Sequence, residues 1–266
     1  GNPGYIEVIE ANVFDENKLN KLFKDKDICI NLVGILFENK KNNFKNIHIN
    51  FPTLLSEKSR NYKLKQFIHV SALGIEKAID SEYAKSKLKG EKNILNNFSS
   101  SVILRPSLVY SVNDNFTTNI MTLLSLLPVF PLYYNGNTKF SPIHVSDFCE
   151  IIVKIIDESI SSEIIECVGP EKLSFKEIIK KLLIAIDKKT FLLPVPTIIA
   201  KIIAFFLEKL PTPLITQDQL RLLKYDNILS EENKSNIDIG FKSKLKFDEE
   251  IVKYSYMWKK GGEYSK

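Results

Sequence analysis

The residues with the most chemical potential lie in one short stretch, Tyr83-Ala84-Lys85-Ser86-Lys87. A tyrosine and a lysine four positions apart share a face when the stretch is helical. An ammonium beside a phenol favours the phenolate and lowers a pKa that starts near about 10. A tyrosine becomes a general acid or base near neutral pH in this way. The spacing alone says little, because a chain rich in lysine and tyrosine produces it on any solvated helix face. Ser71 supplies context. It sits twelve positions upstream of Tyr83, near the end of the apolar run 66–72.

The elements that must position these residues follow from periodicity. Residues 27–33 and 66–72 form nearly continuous apolar runs, as strands covered on both faces do, and 101–109 reads as another strand. Residues 5–10 suggest a short strand as well. Between them lie helical patterns at 15–24, with Leu19, Leu22 and Phe23 on one face, at 43–62 and at 82–97. Such alternation predicts a parallel sheet with right-handed crossovers. Ligands of open parallel sheets bind beyond the carboxyl ends of the strands. Three strands end there in small or polar residues: Asn31-Leu32-Val33-Gly34, then Ser71, then Arg105-Pro106-Ser107.

Beyond Tyr110 the pattern becomes irregular. A helix over 115–127 precedes a turn-rich segment, 128–137. Residues 139–145 read as a strand, Asp147 is placed to cap a helix running to Glu158, and 163–168 read as a strand. Ser174 and Glu177 form a capping-box pattern at the start of a helix to Asp187. The expected organisation is a nucleotide-type domain over 1–110, rejoined by 139–160, with a smaller α+β unit from 111–138 and 161–266.

Composition narrows the function classes. The net charge of +5 on 266 residues is modest, and lysines are interspersed with acidic residues. No basic stripe with interleaved aromatics is present, so nucleic acid is not an expected partner. Cys29, Cys149 and Cys167 are too far apart for zinc-ligand spacing, and each sits in an apolar run that predicts a buried free thiol. His69 reads as a hydrogen-bonded core histidine and His48 as a structural residue on a helix. His144 is a candidate pocket residue. With no carboxylate cluster beside any of them, no metal site is expected.

Taken together, these segments resemble the short-chain dehydrogenase/reductase superfamily, in its extended or atypical form. Ser71, Tyr83 and Lys87 match its Ser–Tyr–Lys triad, and Asn31 to Gly34 its Asn-x-x-Gly segment. The resemblance implies Tyr83 as acid/base, Lys87 as pKa modulator and ribose ligand, and Ser71 as donor to a substrate carbonyl. It implies Asn50 as the helix asparagine supporting proton relay. Asn12 and Val13 would contact adenine with Asp15 nearby, and Val33, Pro106 and Ser107 would line the cofactor. The cofactor would be NAD(H) or NADP(H), on a Rossmann-type doubly wound sheet.

Within the superfamily, INLVGIL at 30–36, FIHVSALG at 67–74, YAKSKLKGE at 83–91 and LRPSLVY at 104–110 are similar to the nucleotide-binding accessory subunits of respiratory complex I and their bacterial relatives. So are Asp114-Asn115-Phe116, SPIHVSD at 141–147, Val168-Gly169-Pro170 and PLITQDQ at 213–219. The front of the chain departs from the pattern. Gly1-Asn2-Pro3-Gly4 precedes a strand instead of following one, so it does not match the glycine loop that holds a pyrophosphate. The expectation is that the first strand–helix–strand unit lies upstream of Gly1.

Residues 197–210, from Thr197 to Leu210, carry an apolar run from Ile198 to Leu207 broken only by Lys201, and are bounded by Pro196 and Pro211. They are too few for the roughly 20 residues of a bilayer span. They predict either a core helix or one that meets lipid or a membrane subunit. Two function classes fit the whole. One is a nucleotide-holding accessory or assembly subunit beside a quinone-reducing membrane complex, cytoplasmic or peripheral on the inner membrane. The other is a working NAD(P)-dependent reductase or epimerase on a small or lipid-like substrate. A soluble redox-sensing regulator is a third.

Overall fold

The computed structural model describes residues 6–210 and 213–264; Gly1 to Tyr5 and Pro211 lie outside them. Helix α1 (Glu16–Phe23) is capped by Asp15, whose carboxylate accepts from the Lys18 amide at 3.1 Å, and leads to strand β1 (Ile28–Asn31). The pattern over 43–62 predicts one helix. Instead, a π-helical turn over Lys45–Asn50 runs into α2 (Phe51–Asn61). Then come β2 (Gln66–Val70), α3 (Glu82–Asn97), β3 (Ser101–Pro106) and the short β4 (Val109–Tyr110).

The second half opens with α4 (Thr117–Leu126) and β5 (Val129–Tyr133). The strand expected over 139–145 splits at Ser141-Pro142 into β6 (Lys139–Phe140) and β7 (Ile143–His144). Helix α5 (Val145–Asp157) is capped by His144, not by Asp147. Asp147 lies buried in the first turn, where its carboxylate accepts from the Lys244 and Leu245 amides, both at 3.0 Å. Next are β8 (Glu163–Cys167), β9 (Leu173–Ser174) and α6 (Phe175–Ala185), which begins with the expected Ser174–Glu177 capping box. Strand β10 (Phe191–Val195), α7 (Thr197–Leu207), α8 (Gln217–Leu222), β11 (Lys234–Ser235) and α9 (Phe247–Ser255) complete the order.

Five strands form one parallel sheet in the order β1-β2-β3-β8-β11. Its two faces are apolar, as a sheet covered by helices on both sides requires. Phe67 and Ile103 point to a core shared with Leu19, Phe23, Phe51, Leu55 and Ile94 from the first three helices. Their neighbours Ile68, Val102 and Leu104 point the other way, onto Phe148, Ile151 and Ile155 of α5. This is a doubly wound Rossmann-type α/β sheet. Two segments beyond residue 160, β8 and β11, pair into it. A second core joins α4, α6 and α9 through Met121, Leu124, Ile178, Leu182, Phe247 and Ile251.

Residues 6–10 do not form the expected strand. Ile6 is 85% and Val8 93% exposed, and none of the described strands pairs with them. A parallel strand is stable only with a neighbour to complete its ladder and cover its side chains. Two of the three thiols also depart from expectation. Cys167 is buried, Cys29 is half-buried and Cys149 is exposed on α5.

Candidate functional site

The C-terminal ends of β1, β2 and β3 meet at one edge, and backbone hydrogen bonds fasten the loops that leave them. The Ser71 amide donates to Leu104 O at 2.7 Å, and the Leu73 amide to Pro106 O at 2.9 Å. At the end of β1, Asn31 accepts from the Val33 amide at 3.1 Å and places its Nδ2 2.9 Å from His69 Nδ1. An asparagine Nδ2 only donates, so His69 Nδ1 accepts and Nε2 carries the hydrogen. That Nε2 is buried without a partner, and so is Ser71 Oγ. A buried polar atom left unpaired is costly. Ser71 Oγ therefore stands ready for a ligand atom or an ordered water. Ser107 is engaged otherwise. Its hydroxyl donates to Asn227 Oδ1 at 2.6 Å and accepts from the Ser141 amide at 3.0 Å.

Helix α3 carries Tyr83 and Lys87 to the same edge. Ser81 caps it by accepting from the Ala84 amide at 3.2 Å. The next two orphan amides are satisfied from α8. The Asp218 carboxylate accepts from Glu82 N and Tyr83 N, each at 2.9 Å, and from Ser81 Oγ at 2.8 Å. Lys87 is buried, and its ammonium donates to Val70 O at 3.2 Å. Burial pulls that amine down to about 8, opposed by the Glu91 carboxylate. The i, i+4 spacing predicts that the lysine lowers the tyrosine; the structure has the opposite. Burial pushes the Tyr83 phenol up to about 12. The Lys87 nitrogen faces a carbonyl and lies 5.9 Å from the centre of the Tyr83 ring.

His48 is expected as a structural residue on a helix, and it sits on the π-helical turn. It is buried beside Tyr83, with ring centres 5.2 Å apart and planes nearly perpendicular, and it stacks on Phe44 at 5.1 Å. Its Nε2 accepts from the Ile35 amide at 3.1 Å, so Nδ1 holds the hydrogen, 2.9 Å from Ser86 Oγ. Ser86 in turn donates to Tyr83 O at 2.7 Å. Burial and the adjacent Lys87 charge drive the imidazole down to about 3, which keeps it neutral. Gly90 makes this closeness possible, since a Cβ there would stand 2.0 Å from His48 O. A signal was present in the sequence: Phe44, Ile47, His48, Phe51 and Leu55 follow helical spacing and all are buried.

Asn50 does not join this group. It is exposed, and its side chain donates to Asn46 Oδ1 at 3.1 Å. Nor do Asn12 and Val13 approach it. Asn12 is exposed and accepts from the Phe14 amide at 3.0 Å, while Val13 packs against the core around α1. His144 is half-buried against Tyr110, with ring centres 5.2 Å apart. Pro106 is buried at the end of β3.

The residues present fit the nicotinamide-ribose half of a dinucleotide. Ser71 Oγ is an orphaned donor, Tyr83 and Lys87 supply a phenol and an ammonium, and Gly34 has no side chain to fill the approach. A Cβ at Gly34 would lie 3.3 Å from Lys87 Nζ.

Known proteins resemble this chain along most of its length. The 40 kDa subunit of mitochondrial NADH-ubiquinone oxidoreductase from Neurospora crassa is 26% identical over 243 residues. Mitochondrial NADH dehydrogenase [ubiquinone] 1 alpha subcomplex subunit 9 from Mus musculus is 23% identical over the same length. Each match takes in 90% of this chain and 64% of the relative, so the chain spans just under two-thirds of their length. Among solved structures, UDP-glucuronic acid 4-epimerase from Bacillus cereus superposes with a TM-score of 0.69 at 18% identity. That match covers 93% of this chain and 80% of the epimerase, whose structure holds UDP-glucuronic acid and NAD. The description of one family fits residues 1–167, well over half of the 266. The chain belongs to the NAD dependent epimerase/dehydratase family.

Proposed function

We propose that this chain holds the nicotinamide-ribose part of an NAD(P)(H) molecule as an accessory or assembly subunit of a quinone-reducing membrane complex, peripheral on the membrane that houses it. One observation carries the reading. A buried lysine, an orphaned serine hydroxyl and an unfilled glycine approach are gathered at one sheet edge, yet burial pushes the tyrosine there up to about 12. Such a site is built to bind. It is poorly tuned for proton transfer at neutral pH, where an efficient acid or base has its pKa near the working pH. The resemblance to complex I subunits over 90% of the chain supports the partner.

When bound, the nucleotide would supply hydride chemistry. The chain's own residues bind and orient: Lys87 offers its ammonium, Ser71 its hydroxyl and Tyr83 its phenol, while His48 fixes the loop at Ile35 against α3. The reductase or epimerase reading draws on the same Ser71, Tyr83 and Lys87 standing together.

Tyr83→Phe and Lys87→Ala separate the two. Under the binding reading, Tyr83→Phe leaves NADH affinity within about twofold, and Lys87→Ala weakens it by about tenfold or more, the loss expected of one charge-assisted hydrogen bond. Both are read by NADH fluorescence titration. Carbonyl-dependent NADH oxidation that drops about a hundredfold in Tyr83→Phe would instead mark an enzyme.

A further inference from the structure

We propose that the outer face of α7, together with the exposed face of the β5–β10 pair, docks on an anionic phospholipid bilayer. This rests on the peripheral placement proposed above and is independent of the nucleotide site.

Helix α7 buries Ala200 and Ala204 against Tyr133 and Leu220 and turns its larger side chains outward. At 100° per residue, Ile198, Ile199, Ile202, Phe205 and Phe206 share one face. Ile198 is 76% and Phe206 64% exposed. A core helix, one of the two readings of residues 197–210, would have buried them. The apolar surface continues onto the strands. Alternate residues of a strand share a face, and Val195 and Tyr133 of the paired strands pack under α7. Phe191, Leu193 and Val129 lie on that same face, and all three are exposed, Phe191 at 66%.

The charge pattern selects the partner. From residue 188 to 207 the sequence carries Lys188, Lys189 and Lys201 and no acidic residue. Lys209 lies just beyond, with its nitrogen 4.0 Å from the centre of the Phe205 ring. The next acid, Glu208, is occupied by the backbone and side chain of Gln217, at 3.1 and 2.7 Å. Beside Phe191, Lys180, Lys188 and Lys189 line a shallow depression together with Leu183 and Ile184. An apolar face with a basic rim matches acyl chains beneath anionic headgroups. The helix has 11 residues and measures about 16 Å. That is half the roughly 30 Å hydrocarbon core, so it lies in the interface instead of crossing. Among the described residues no helix is long and apolar enough to cross.

The test is flotation of the purified chain with vesicles of phosphatidylcholine alone or with about a third phosphatidylglycerol. Binding should favour the anionic vesicles about tenfold or more and weaken as salt rises. Phe205→Ser with Phe206→Ser should cut it about tenfold with an unchanged melting curve, because both rings are exposed. Lys189→Gln with Lys209→Gln should remove the anionic preference. The Ile202→Trp variant, a third probe, should shift its indole emission to the blue on anionic vesicles alone. Equal binding to both vesicles, or an emission from the Ile202→Trp variant that does not move, overturns the proposal. No binding to either also overturns it and points to a protein surface as the cover. NADH titration in parallel reports the nucleotide reading separately, since either binding can fail while the other stands.

Discussion

The chemistry of individual residues turns on where the Lys87 ammonium sits. It is buried, bonded to the Val70 carbonyl and lowered to about 8, so its charge is lost within an accessible pH range. Below that value the site presents an ammonium to a nucleotide; above it, a neutral amine. NADH affinity should therefore hold steady at about pH 6 to 7 and fall as pH rises through about 8. Lys87→Met should bind weakly and show no such dependence. A wild-type affinity flat to about pH 9 would take Lys87 out of the binding. That Ser71, Tyr83 and Lys87 converge was legible in the sequence, because strand ends and i, i+4 helix positions fix where backbones go. The direction of the Tyr83 shift was not legible. Spacing places two residues on one face but does not say which acceptor an ammonium turns to, and here it turns to a carbonyl. His48 was legible as a residue on the buried helical face, but its partners Ile35 and Ser86 were not, since they come from other elements.

Among the elements, the contact that builds the site is the crossing of α3 over the π-helical turn. Gly90 allows it, since any Cβ would meet His48 O at 2.0 Å. Elsewhere in a helix, replacing glycine by alanine stabilises by about 1 kcal/mol. At Gly90 the sign should reverse. Gly90→Ala should cost about 1–3 kcal/mol through overpacking, read as a lower urea midpoint. It should also loosen the hydrogen bonds of His48 to Ile35 and Ser86, seen as faster exchange of the Ile35 amide. A more stable Gly90→Ala protein would refute the crossing. The bounds of α3 were legible, because the helical spacing over 82–97 marks them locally. Residues 6–10 carry the same apolar pattern as a strand yet form none. A strand needs a paired neighbour, and that is a property of the surroundings, not of the five residues. The cap of α5 failed for a related reason. Asp147 looks like a local cap, but its carboxylate is spent on two amides almost a hundred residues downstream, at Lys244 and Leu245.

Across the whole molecule, the two halves are tied by a short span of chain that leaves no periodic trace. Helix α8 is held at one end by Glu208, which accepts from Gln217. The next residue, Asp218, caps α3 at Glu82 and Tyr83, 136 and 135 positions away. Farther along, Asn227 Oδ1 and O accept from the Ser107 hydroxyl, and its Nδ2 donates to Leu73 O, at the ends of the sheet strands. The PLITQDQ stretch was legible as a motif, but its partner was not, since a cap supplied from 135 residues away has no sequence spacing to betray it. An N-terminal helix dipole favours a carboxylate, and losing a capping side chain costs about 0.5–2 kcal/mol. Asp218→Ala should therefore lower the melting temperature by a few degrees, about 2–4 °C per kcal/mol in a chain of this size. The effect should be local before it is global. Amide exchange should speed up at Glu82 and Tyr83 and stay unchanged in β2 and β3, while NADH affinity falls severalfold as Tyr83 and Lys87 lose their fixed start. Asp218→Asn, which keeps one carbonyl oxygen but loses the charge, should fall between wild type and alanine. Unchanged exchange at Glu82 and Tyr83 in the alanine variant would show that Ser81 alone sets the helix, and that the C-terminal part rests on the site without shaping it.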